Sequence, residues 1–180
     1  MRALRNAFLA AALCAPAPGL AQAVQEFEVK AAYLYRFLSF VEWPREALGE
    51  REAPIVIGVE GSDETAAALT GMVEGRRAQG RPIEVRRVRA GEPTAGLDVL
   101  FLGRGSSAAL REVLRAAPAQ PLLIVCEWEG ALDQGAVVNF VLREGRVRFE
   151  VALDAAEARR LRISSRMLAV AASVRSARRP

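Results

Sequence analysis

The chain has 180 residues, a formal net charge of +4, two cysteines and no histidine. Without histidine there is no His-based triad, no common zinc site and no ready general base near neutral pH. Basic residues are interspersed with acids rather than gathered in a stripe, which argues against nucleic acid as a partner, and the length suits one domain with one real core.

Residues 1–23 read as a secretory signal. Arg2 and Arg5 form a positive start, Ala7 to Leu13 a short apolar core, and Ala21-Gln22-Ala23 the small-x-small pattern of a cleavage site. That apolar run is far shorter than the roughly 20 residues a membrane span needs. The expectation is an exported chain cut after Ala23, with one domain over 24–180. The signal carries two arginines and no acid, so its removal lowers the net charge to +2. It also removes Cys14. The remaining Cys126 has no partner for a disulfide within the chain. It lies in PLLIVCEW, an apolar run that predicts a buried, inert thiol; an intermolecular bridge or a reactive thiol are the alternatives.

Val24 to Glu42 is predicted as a helix. Phe27, Ala31, Leu34, Leu38 and Val41 share one stripe; Tyr33, Phe37 and Phe40 form a second beside it. Trp43-Pro44 is expected to end it, because a residue before proline is pushed out of helical geometry. This is more apolar arc than one sheet face needs. Phe27, Leu34 and Leu38 are therefore expected in the core, and Tyr33, Phe37, Phe40 and Trp43 near a dimer or partner surface. The alternative is a second layer of the same domain covering them.

Pro54 to Val59 predicts a buried strand. Ser62 then caps a helix running to about Val73, with Asp63 and Glu64 at its positive end. Pro82 to Val88 alternates weakly, as an edge strand does. Asp98 to Leu102 predicts a strand, Ser106 to Ala116 a helix, and Pro121 to Cys126 another buried strand. The turn Gly103 to Ala108, GRGSSA, formally matches a dinucleotide-type G-x-G-x-x-A pattern. Such a loop can cradle an anion at a helix N-terminus, so a small anionic ligand is one candidate. The competing reading is a tight turn that needs glycine and a capping serine, and an exported chain does not meet nicotinamide cofactors.

VVNFVLREGRVRFEV predicts a hairpin turning at Glu144-Gly145. With Arg143 opposite Arg146, Phe140 faces Phe149 and Leu142 faces Val147 on one side. Asn139 faces Glu150, and Val141 faces Arg148, on the other. Asp154 can cap a helix through Arg160, and Ser164 or Ser165 a last helix with Met167, Leu168 and Val170. The whole pattern predicts an α/β fold: a three-layer-like single domain with a mixed, mostly parallel sheet flanked by helices, closing on a β-hairpin and a helix.

Two segments together, KAAYLYRFLSFVEWP and VNFVLREGRVRFEVALDAAEARRLRISSRMLAVA, resemble the YfiR family of bacterial periplasmic proteins (DUF4154). The resemblance implies a periplasmic, non-enzymatic regulator with no cofactor, no metal site and no catalytic residue. Its implied partner is the periplasmic sensor domain of an inner-membrane diguanylate cyclase, held inactive so that cyclic-di-GMP signalling and biofilm formation stay low. It also implies a homodimer. Family members under redox control carry cysteine pairs, whereas here only Cys126 remains. The polar residues of the C-terminal motif, Asn139, Arg148, Glu150, Ser164 and Arg166, are candidates to line a small site. Each also has a plain structural role open to it: a cross-strand pair for Asn139 and Glu150, a helix cap for Ser164. The other functional reading is a periplasmic sensor domain that takes a small molecule and reports it to a kinase or cyclase.

Overall fold

The computed structural model describes residues 18–50, 52–117 and 120–176, with side chains from Glu26 onward. Residues 1–17, which hold most of the expected export signal, and Arg178 and Arg179 of the tail lie outside the described residues.

The elements run α1 (Pro18–Phe37), β1 (Val41–Glu42), β2 (Ile55–Glu60), α2 (Asp63–Val73), β3 (Arg77–Ala78), β4 (Arg81–Arg87), β5 (Val99–Leu102), α3 (Ser107–Ala116), β6 (Leu123–Cys126), β7 (Val138–Arg143), β8 (Arg146–Ala152), α4 (Leu153–Ala158), β9 (Arg162–Ile163), α5 (Ser165–Leu168) and β10 (Ser173–Arg175). Among the described residues eight strands form one sheet in the order β10-β8-β7-β6-β5-β2-β4-β3. The centre, from β4 through β2, β5 and β6 to β7, is parallel; β7–β8 and β3–β4 are antiparallel. This is the mixed, mostly parallel sheet expected from the sequence.

The central strands β2, β5 and β6 are buried along their whole length, which is why they read as unbroken apolar runs rather than alternating ones. Alternate residues feed two cores. Ile55, Ile57, Phe101 and Val125 pack with Leu34, Leu38 and Leu69 beneath α1 and α2. Val56, Leu100, Ile124 and Cys126 pack with Leu110 and Val113 of α3 on the opposite face. The result is three layers, with helices on both sides of the sheet.

The first helix stops earlier than the position of Pro44 suggests. Past Phe37 the backbone tightens into a turn, with Ser39 and Phe40 donating to the carbonyls three residues back (3.0 and 2.9 Å). Val41 and Glu42 then run extended and pair antiparallel with Ile163 and Arg162, while Ser164 donates to the Phe40 carbonyl (2.9 Å). Tertiary pairing with a segment 120 residues downstream overrides the local helical stripe. The predicted edge strand is also corrected: β4 is flanked by β2 on one side and by the two-residue β3 on the other.

Most other local expectations stand. Ser62 caps α2, its hydroxyl oxygen accepting from the Thr65 amide at 3.3 Å. Arg143 pairs with Arg146, and every pair back to Val138–Val151 follows in the expected register. Glu144 and Gly145 both have positive φ, 52° and 71°, as a two-residue hairpin turn requires. Ser164 caps the short α5, accepting from the Arg166 amide. Asp154 sits in the first turn of α4 rather than at its cap, which is Ala152.

Candidate functional site

The parallel strands end together at one rim of the sheet, the rim at which open α/β folds bind their ligands. There β6 pairs with β7 only through Val125–Val138 and Cys126–Asn139 and then stops. β7 runs on to Arg143, so its outer half overhangs. A cleft of about 460 Å³ lies against this overhang. α1 supplies Glu26 and Lys30, the turn after β5 supplies Arg104, and the turn after β6 supplies Glu127 to Gly130; β7 and β8 close it with Asn139 to Arg143, Val147 and Glu150.

Most of its charged groups are bound to one another, whereas Glu129 is exposed at the rim. Lys30 is only 3% exposed. Its ammonium donates to Glu26, four residues back on the same helix face (2.5 Å), and to Glu127. The second Glu127 oxygen accepts the Arg104 backbone N–H at 3.0 Å, and the Arg104 guanidinium returns to Glu26 at 3.1 Å. A buried ammonium between two carboxylates is tolerable only when so fully paired. Arg143 and Glu150 pair at 3.3 Å on the hairpin. Two polar atoms stand apart from this network. Oδ1 of Asn139, a residue 2% exposed, and Nε1 of Trp128 are buried without a hydrogen-bond partner among the described residues.

Of the polar residues singled out from the sequence, Asn139 and Glu150 meet here, opposite one another across the hairpin. Arg148 does not. It is exposed and donates to the Val170 carbonyl at 3.4 Å. Ser164 caps α5, and Arg166 is exposed there. The aromatic run of α1 packs inward. Phe37 is 1% exposed and Trp43 6%, with the indole donating to the Asp98 carbonyl at 3.2 Å. Tyr33 and Phe40 are half-buried against the same core. Tyr33 and Phe37 stack, and both meet Phe149 edge-on at 5.3 and 5.1 Å between centroids. Lys30, Glu26 and Trp128 were not singled out from the sequence, and Arg104 appeared there only within the GRGSSA turn. The i,i+4 spacing of Glu26 and Lys30, and a carboxylate directly after a buried strand, are the signals that could have found them.

The GRGSSA turn is occupied by the chain itself. The Gly103 amide donates to the Glu60 carbonyl at 2.7 Å, and a Cβ on Gly103 would lie 2.3 Å from the Gly61 oxygen. Only glycine permits that approach. The Glu60 carboxylate lies beside the Ser106 hydroxyl at the start of α3. Burial pushes the Glu60 carboxyl up from its ordinary 4.5; the Ser106 hydrogen bond opposes this, and Glu112 and Glu92 raise it further. The folded chain therefore holds this proton more readily than the unfolded one. This group's contribution to stability is largest below 4.5 and is lost as pH rises through the folded value. Glu60→Gln is expected to remove that decline. In urea denaturation the variant exceeds the wild type at pH 7, and the gain vanishes at pH 4.

Cys126 is fully buried. Burial, and then the neighbouring Glu127, push its thiol well above its ordinary range, so it stays protonated and unreactive. Among the described residues no helix is long and apolar enough to cross a membrane.

Residues 27–172 match the family model described as YfiR/HmsC-like (DUF4154). The chain belongs to the YfiR/HmsC-like family. Membership places it with a family of periplasmic regulators. The fold is similar to the crystal structure of a conserved domain protein from Vibrio cholerae O1 biovar El Tor strain N16961, with a TM-score of 0.53 and 15% identity over 83% of this chain. The chain spans 60% of that protein's length, and at such identity the likeness speaks for the fold alone. No curated protein matches the sequence. Within the YfiR-like frame, both segments that carried the sequence resemblance fall on structural junctions: α1 with its exit to β1, and the β7–β8 hairpin with α5.

Proposed function

We propose that this YfiR-like protein acts in the periplasm, after cleavage of residues 1–23, as a non-enzymatic inhibitor of an inner-membrane diguanylate cyclase. It binds the periplasmic sensor domain of that enzyme and keeps cyclic-di-GMP and biofilm formation low. Family membership over 27–172 is the observation that carries this reading. The cleft chemistry agrees with it, because Lys30, Glu26, Glu127 and Arg104 are hydrogen-bonded to one another. A binder of this kind inhibits only by the difference in its affinity for the active and inactive sensor conformations. A hundredfold suppression of the active state requires a preference of about 2.7 kcal/mol.

The contact surface draws on apolar side chains left open: Leu142 at the hairpin tip, and Val170 and Val174 around the edge strand β10, with 48, 58 and 42% exposure. Tyr33 and Phe40 are the members of the aromatic run that remain partly open to a partner. The protein works as a homodimer in this reading. A sensor domain that takes a small molecule in the cleft is the second reading, favoured by the unpartnered Asn139 oxygen.

Capture from detergent-solubilised membranes, with the chain from Val24 as bait, tests the choice. A diguanylate cyclase in the eluate supports the inhibitor. A sensor kinase or transporter recovered without any cyclase favours the second reading.

A further inference from the structure

We infer that the cleft beside the overhanging half of β7 takes an extended peptide carrying a basic residue, laid along β7 as an added strand. This rests on the proposed role as a protein-binding regulator and names the kind of segment such a partner presents.

Three observations carry it. First, β7 from Phe140 to Arg143 has β8 on one side and, among the described residues, no strand on the other, since β6 ends at Cys126. In a two-residue hairpin the pairs Arg143–Arg146, Val141–Arg148 and Asn139–Glu150 exchange hydrogen bonds across the ladder. The Ala152 amide donating to the Val137 carbonyl at 2.9 Å continues that alternation. Leu142 therefore turns its backbone N–H and C=O toward the side β6 has vacated. That is the edge a peptide strand pairs with.

Second, the two unpartnered buried atoms in this cleft are one acceptor, Asn139 Oδ1, and one donor, Trp128 Nε1. A peptide group offers the complementary N–H and C=O. Buried polar atoms left without partners are rare enough to require a reason.

Third, the charges select the peptide. Lys30, Arg104 and Arg143 each already hold a carboxylate, whereas Glu129, exposed at the rim, has no ion pair among the described residues. A lysine or arginine on the incoming strand meets that free carboxylate. The space is also long. The cleft continues into a second groove of about 500 Å³ that shares Glu26, Leu142 and Val147 as walls, which suits an extended chain more than a compact molecule.

The test is a random peptide library displayed on phage and panned on the whole chain from Val24. It needs no cyclase, so its outcome is separate from that of the membrane capture. Enriched peptides are synthesised and titrated. The inference expects them to contain lysine or arginine and to slow hydrogen exchange at the Leu142 amide. It expects Asn139→Ala and Leu142→Pro each to weaken binding about tenfold with melting temperature unchanged. Leu142 is exposed at an edge, so its proline variant keeps the test open if Asn139→Ala fails to fold. Absence of enrichment, peptides that bind both variants with wild-type affinity, or exchange protection elsewhere with Leu142 unaffected would overturn it.

Discussion

Phe37→Ala is expected to lower the unfolding free energy by about 3–5 kcal/mol, read from the shift of the urea midpoint at constant slope. The ring sits at the junction of both segments that define the family. It stacks on Tyr33 and Phe140 at 5.9 and 6.0 Å and meets Phe149 edge-on at 5.1 Å. Truncation leaves a hole between α1 and the hairpin, lined by groups that belong to two elements remote in sequence. Neither can close it without moving the register of the other. A polar replacement there costs at least as much, because no hydrogen-bond partner awaits it. Phe40, only half-buried in the turn after α1, is expected to cost less than Phe37 on the same substitution. If both rings proved equally dispensable to folding, the aromatic run would be an interface held ready for a partner rather than the floor of the core.

Lys30→Ala is the second large effect, again about 3–5 kcal/mol. The figure reflects what is left behind more than what the ion pairs contribute. Glu26 and Glu127 remain next to each other, with side chains 19 and 7% exposed and no ammonium between them. Adding Glu127→Gln to Lys30→Ala should recover much of the loss, since the remaining carboxylate keeps Arg104 as a partner. A double-mutant cycle between Lys30 and Glu127 measures their coupling directly. Coupling near zero would mean that the network is incidental surface charge.

The parts of this molecule that the sequence displays are those set by short-range physics. The buried strands, the Ser62 cap and the hairpin register from Arg143–Arg146 to Asn139–Glu150 all follow from patterns within a dozen residues. The parts it hides are set by pairing across the chain. β1 exists because Val41 meets Ile163, and no local feature of Phe40-Val41-Glu42 announces it. β3, β9 and β10 are two or three residues long, too short to leave a period. The cleft shows the same division. Asn139 and Glu150 were legible as a cross-strand pair in a motif. Lys30, Glu127 and Arg104 come from three separate elements, and only the ending of β6 at Cys126 brings them together. The second aromatic stripe suggested a surface, and packing made Phe37 core and left Tyr33 and Phe40 half-buried: Tyr33 and Phe37 join the aromatic rings of the hairpin.

The account stands on the claim that this YfiR-like domain acts by contact with a membrane cyclase. Membrane vesicles containing the captured cyclase, with its sensor domain facing the added protein, allow cyclic-di-GMP synthesis to be measured as the purified chain from Val24 is titrated in. The account predicts saturable inhibition, with half-effect at the affinity measured for the isolated sensor domain. Unchanged synthesis at saturating, demonstrably bound protein would contradict it.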